Sequence, residues 1–220
     1  MSMEDYLIDI KELGFSYANG SKVFDSLNFS LKRGERIGLT GPNGAGKTTL
    51  LHLIMGLLKP NSGEMKIFGK VRKEEKDFTE VRRKIGILFQ DSDDQLFCPT
   101  IEEDIAFGPL NLGKSLEEAR DIVRETCQRL GLLGFEKRIT HRLSGGEKRL
   151  VALATVVAMN PECFLLDEPI TGLDEETTER LLKYLKEHAD SYVIVTHDRE
   201  FLKYAVNKIY VLKDSKITLI

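Results

Sequence analysis

The chain has 220 residues, 30% of them charged, with 32 Lys and Arg against 35 Asp and Glu for a formal net charge of -3. This length suits a single domain with a smaller helical insertion better than two independent domains. The dispersal of the basic residues weighs against an electrostatically driven nucleic-acid binder. Cys98, Cys127 and Cys163 are far apart and odd in number, so they suggest neither a disulfide framework nor a CxxC metal knuckle, and they fit a reducing cytosol.

The amino terminus, MSMEDYLIDIKELGF, is acidic and strand-like, without the basic start and apolar run of a secretory signal. Tyr6 to Tyr17 and Val23 to Leu31 read as strands, the second alternating Leu27, Phe29 and Leu31 with Ser26, Asn28 and Ser30. IGLT is a short apolar strand that runs straight into Gly41, and a helix follows from Lys47 to about Leu57. Met65 to Phe68 is another strand, the stretch to Arg83 is charged and ambiguous, and Gly86 to Gln90 is a strand ending in a polar residue. From Asp91 the character changes: a loop, one or two helical turns over Ile101 to Phe107, a break at Gly108-Pro109, and a capping box at Ser115 to Glu118 that opens a helix to Leu130. A further helix runs from Ser144-Gly145-Gly146 to Met159, and Cys163 to Asp167 forms a buried strand. Asp174 caps a helix to about Ala189, Tyr192 to Thr196 is a strand, Arg199 to Ala205 a short helix, and Ile209 to Leu212 pairs with Ile217 to Ile220. The longest apolar stretches, Leu50 to Leu58 and Val151 to Met159, fall short of the ~20 residues a spanning helix needs, so a membrane role would run through a partner.

GPNGAGKT, Gly41 to Thr48, matches GxxxxGK[ST] in full and lies between a predicted strand and a predicted helix. Its glycines let backbone N–H groups wrap a phosphate chain, Lys47 meets the β and γ phosphates, and the Thr48 hydroxyl suits Mg²⁺. The plainer alternative is a glycine-rich turn capping a core helix. CFLLDE places Asp167 at the end of a buried strand, suited to hydrated Mg²⁺, and Glu168 beside it to orient an attacking water. Many strands end in acidic residues, so this signal gains its weight from the phosphate loop. Asn207-Lys208-Ile209-Tyr210 lacks the aspartate of a guanine-reading NKxD motif, which favours adenine. In LSGGE, Ser144, Gly145 and Gly146 present a hydroxyl and backbone N–H groups at a helix's positive end, open to a phosphate, although a serine-capped helix start has the same pattern.

GPNGAGKTT, Gln90, LSGGE, LLDE, GLD at Gly172 to Asp174 and VTHD at Val195 to Asp198 stand in the order of the nucleotide-binding subunits of ABC transporters. The resemblance covers essentially the whole chain. It implies an α/β P-loop NTPase core with a mostly parallel sheet, an antiparallel β edge subdomain and a helical subdomain. Residues of about 1–90 and 160–220 would form the catalytic core, and about 91–159 the helical subdomain with the signature motif.

ATP and Mg²⁺ are the implied cofactors. Gly41, Asn43, Gly44, Ala45, Gly46, Lys47, Thr48 and Thr49 would hold the nucleotide, and Thr48, Gln90 and Asp167 the metal. Glu168 would polarise the water, His197 would contact the γ phosphate, and Gln90 would link metal and water to a membrane-facing loop. Ser144, Gly145, Gly146 and Glu147 would bind the ATP of a facing subunit rather than their own, and Asp174 would communicate across that dimer besides capping its helix. Tyr17 resembles the aromatic that stacks on adenine, with a core aromatic as the alternative. His52, His141 and His188 match no motif and read as structural.

FQDSDDQLFCPTIEEDIAFGPLNLG, Phe89 to Gly113, resembles the cobalt, nickel and vitamin uptake ATPases of the energy-coupling-factor type. That resemblance implies an importer whose partners are a second ATPase subunit, identical or paralogous, a transmembrane coupling subunit and a substrate-binding membrane subunit, with no nucleic acid. The ATPase would sit peripherally on the cytoplasmic face of the membrane, and Leu96, Phe97, Ile101 and Phe107 would line a groove for a partner helix. Ile170, Thr171 and Glu175 depart from the family's usual residues, and members of this branch commonly continue beyond the position of Ile220, so the dimer is expected to depend heavily on nucleotide. A soluble ATPase acting on DNA or ribosomes, or a nucleotide-gated assembly clamp, are the rivals. The lack of long coiled-coil insertions opposes the first, and Glu168 and His197 oppose the second.

Overall fold

The computed structural model describes residues 6–220, so Met1 to Asp5 lie outside the described residues. Two compact units divide the chain, residues 1–85 with 190–220, and residues 86–189.

In the first unit, β1 (Tyr6–Ser16) pairs antiparallel with β2 (Lys22–Lys32) on one edge and β4 (Ser62–Ile67) on the other, and β5 (Lys70–Val71) continues the sheet. Alternation decides which face is buried: Leu27, Phe29 and Leu31 point into the core while Asn28 and Ser30 do not. The step from Leu27 back to Phe24 breaks that period where the pairing register with β1 shifts, the signature of a bulge. A second sheet is parallel at its centre. β3 (Arg36–Thr40) lies between β8 (Tyr192–Val195) and β9 (Lys208–Lys213), and β10 (Lys216–Leu219) folds back antiparallel on β9. Ile37, Leu39, Val193, Ile194 and Val195 are all buried, as expected for parallel strands covered on both faces.

Helix α1 (Lys47–Ile54) follows β3 and stops before the Leu57 expected from sequence. Gly56 turns into the left-handed region at φ 66°, and the amide of Leu57 donates to His52 O at 2.9 Å, closing a Schellman-type end. The ambiguous charged stretch resolves into a short 3₁₀ turn and α2 (Phe78–Lys84), held by buried Arg72, which donates to Ile67 O, Asp77 O and Glu80. Helix α7 (Arg199–Ala205) is capped by Asp198.

The second unit holds β6 (Ile85–Leu88) beside β7 (Cys163–Asp167), with α3 (Ile101–Asn111), α4 (Leu116–Leu130), α5 (Gly145–Ala158) and α6 (Glu175–His188). All five residues of β7 are buried. The predicted break at Gly108-Pro109 is absent, because α3 runs through both residues to Asn111. A Cβ at Gly108 would stand 2.6 Å from Met159 Cγ, so the glycine serves close packing against the end of α5 rather than termination. Burial pushes the thiols of Cys127 and Cys163 up to about 11 and about 12. The architecture is the α/β one read from the sequence, with a parallel centre, antiparallel strands and a helical part.

Candidate active site

Every element of the phosphate loop belongs to the first unit. β3 delivers the chain to Gly41, whose φ is 144° and whose Cβ, if it had one, would lie 2.2 Å from the carbonyl oxygen of Leu212 on β9. Gly46, at φ 99°, is the N-cap residue of α1 and lies against Val23 and Phe24. No side chain fits either position. Lys47 is 7% exposed, and its ammonium donates to the carbonyls of Gly41 and Pro42 at 2.9 Å each, which places the charge inside the loop. Thr49 is buried and its hydroxyl bonds the Tyr17 hydroxyl at 2.8 Å. Tyr17, 41% exposed, packs edge-on against Phe15 with ring centroids 5.0 Å apart, so it stands beside the start of α1 rather than in the core. The β3–β8 register, Leu39 opposite Val195, carries Thr196 and exposed His197 out at the same end of the sheet as Gly41.

The acidic residues belong to the second unit. Asp167 ends β7 at 3% exposure, and Glu168 follows with φ 49°, a left-handed conformation that a non-glycine residue rarely takes. Gln90 is exposed on the loop after β6. Sequence reasoning missed what binds these together. Arg149 on α5, 3% exposed, donates through Nη1 to Phe89 O and Gln90 O, and through Nη2 to Asp167 O and Glu168 O. Burial lowers its pKa to about 10, with Asp167, Glu168 and Asp91 pulling the other way, so it remains a cation. One signal was available: in RLVALATVVA, Arg149 sits one turn before Ala152 and Leu153 on the apolar face, where a charge is rarely buried without a purpose.

The start of α5 is a capping box. Ser144 Oγ accepts from the amide of Glu147 at 3.3 Å, and Glu147 accepts from the amide of Ser144 at 2.8 Å and from Arg138 at 2.8 Å. The Ser144 amide and hydroxyl, then Arg138, hold the Glu147 carboxyl below the usual range. With the amides of Glu147 and Lys148 engaged by Ser144, those of Gly145 and Gly146 are the first-turn donors outside the intrahelical ladder. The two glycines differ. A Cβ on Gly145 would meet open space, whereas one on Gly146 would lie 2.4 Å from Gly172 O, so the start of α5 abuts the loop before α6. In that loop, Asp174 caps α6 by accepting from Thr177 N at 2.7 Å, and the Thr177 hydroxyl, then its amide, holds the Asp174 carboxyl below its usual value. Ile101, expected in a partner groove, is 1% exposed and therefore core, whereas Phe97 and Phe107 are 65% and 47% exposed and stack edge to face.

A glycine loop between a parallel strand and a helix, together with an acidic pair ending a buried strand, defines a P-loop nucleotide hydrolase. The chain belongs to the ABC transporter family, whose sequence profile matches residues 24–171. It is 43% identical over 216 residues to the energy-coupling factor transporter ATP-binding protein EcfA of Methanocaldococcus jannaschii, covering 96% of this chain and 77% of that one. It is similar in structure to cbiO1 of Clostridium perfringens, part of the ABC transporter complex cbiONQ, with TM-score 0.84, 35% identity and coverage of 98% and 88%. It is similar too to the ATP-binding cassette MJ0796, seen as a dimer in a post-hydrolysis state with ADP and Pi, with TM-score 0.85, 30% identity and coverage of 96% of each chain.

Proposed function

We propose that this chain is the ATP-hydrolysing subunit of an energy-coupling-factor-type importer for a metal ion or vitamin, acting as a cassette dimer on the cytoplasmic face of a membrane. The presence of two phosphate-ready backbones in one chain carries the reading: the loop around Lys47 and the first turn of α5 at Gly145 and Gly146. One cradle suffices for one nucleotide, so the second suits the γ phosphate held on a facing copy. Among the described residues no helix is long and apolar enough to cross a membrane, which is compatible with docking on membrane partners.

The chemistry follows from the side chains. Lys47 and the loop amides bind the β and γ phosphates, and Tyr17, already tied to Thr49, offers its ring to adenine. Glu168 takes a proton from water as the water oxygen bonds the γ phosphorus; the bond from that phosphorus to the bridging oxygen breaks, leaving ADP and phosphate. His197 steadies the γ phosphate. The oxygens of Thr48, Asp167 and Gln90 suit Mg²⁺. When bound, that ion neutralises charge developing on the phosphates.

A groove of about 480 Å³ between α3 and α4, lined by Phe107, Leu110, Leu116 and Val123 and rimmed by Glu102 and Arg120, is suited to an amphipathic helix of the transmembrane subunit. Glu168→Gln should keep ATP binding and lose roughly 10²- to 10⁴-fold in turnover. Near-normal phosphate release from that variant would reject the role given to Glu168.

A further inference from the structure

Resting on the roles given to Glu168 and Gln90, we propose that Arg149 is the positioning residue for both: one guanidinium on α5 sets the backbone that carries the base and the backbone that carries the loop glutamine. A buried guanidinium ordinarily forks onto a carboxylate. Here both arms go to main-chain carbonyls from two segments far apart in sequence, Phe89 and Gln90 on one side and Asp167 and Glu168 on the other. Nε is left buried without a partner. A buried cation of this kind is a poor source of stability, since an apolar residue of similar volume commonly does as well. What it supplies is geometry.

Glu168 needs that geometry. A glutamate at φ 49° persists only where its surroundings over-determine it. Its carbonyl accepts from Arg149 Nη2 at 2.8 Å and from Thr171 N at 3.2 Å, so the orientation of the peptide that follows the base is fixed from two directions. The other arm acts on a loop that is itself laced to the same face of α5. Gln95 Nε2 donates to Ala152 O at 2.9 Å and Thr155 Oγ1 at 2.8 Å, its Oε1 accepts from Phe89 N at 3.2 Å, and Lys148 pairs with Asp93 at 2.6 Å. Residues 148, 149, 152 and 155 lie along one side of the helix. A displacement of the 89–95 loop is therefore passed through Arg149 to the turn at Glu168, and along α5 to the end that bears Ser144.

Steady-state phosphate release, equilibrium ATP binding and thermal unfolding of Arg149→Lys test this. Lysine keeps the charge but has a single nitrogen for four carbonyls. The expected result is a kcat lower by roughly 10- to 100-fold, the scale of a small misplacement of a reacting group, with ATP affinity within about threefold of wild type. A kcat within twofold of wild type, or a loss of ATP affinity equal to the loss of turnover, overturns the proposal. If Arg149→Lys does not fold, Gln95→Leu decides the matter, since it loosens the loop from α5 at a half-buried site. A kcat lower by about 3- to 10-fold with unchanged ATP binding supports the assignment, and unchanged turnover overturns it. Glu168→Gln in the same assays separates the two failures, because an active Glu168→Gln removes the role of Glu168, whereas an inactive one beside a normal Arg149→Lys removes only the role of Arg149.

Discussion

Lys47 donates to the carbonyls of Gly41 and Pro42, six and five residues away, while Arg149 donates to carbonyls at separations of 18 to 60 residues. The phosphate loop is a strand end, a run of glycines and a helix start written in consecutive residues, with Leu212 of β9 pressed against Gly41 and Val23 and Phe24 of β2 against Gly46. The turn at Glu168 is built the other way. Its left-handed backbone is not explained by a glycine; besides the local amide of Thr171, it is held by Arg149 on α5, a helix whose residues precede it by many positions in sequence. Binding and turnover, divided in this way, should respond differently to damage.

The widest separation is expected from Lys47→Ala. Removing a charged donor to phosphate should weaken ATP binding by about 2 to 3 kcal/mol, roughly 30- to 150-fold, as read by titration with a fluorescent ATP analogue. Undiminished affinity would break the contrast at its first term. A smaller effect is expected on the other side from Gly146→Ala. Its methyl would overlap Gly172 O, and overpacking of this sort destabilises by about 1 to 3 kcal/mol. Gly145→Ala, facing open space, should unfold within a few tenths of a kcal/mol of wild type by urea denaturation, and equal losses for the two variants would remove the distinction between the glycines.

The smallest effect concerns α4, where structure is local once more. The amide of Ser115, then Lys114, holds the Glu118 carboxyl down to about 2 from 4.5. A depressed carboxyl contributes stability that is fully present above pH 4.5 and is lost as pH falls from there toward about 2. Glu118→Gln should leave ATP turnover alone and narrow the gap between urea midpoints measured at pH 7 and pH 3. An unchanged gap would show that the capping box is not what titrates.

How much could be read beforehand follows the same divide. Strand β2 announced itself by alternation, α4 by its capping box, and the loop at Gly41 by its spacing, all features written into a few consecutive residues. Gly108-Pro109 misled because the pair usually ends helices, and only the approach of Met159 explains why a glycine is wanted in the middle of α3. The family resemblance places Ile101 in the partner groove, yet it occupies the buried side of the first turn of α3. Tyr17 and Ser144 were named from motif, but their hydrogen bonds to Thr49 and Glu147 depend on how strand meets helix and how the cap closes. The contacts of Arg149 are hard to read from sequence because they are long-range: nothing near it speaks of carbonyls at Phe89 or Asp167.

The φ of 49° at Glu168 bears on how such a chain could drift over generations. Glycine or asparagine would rest there with less strain than glutamate, by about 1 kcal/mol. On the role proposed for Glu168, selection for heat resistance alone would favour Glu168→Gly or Glu168→Asn and yield sturdier proteins that hold ATP without consuming it.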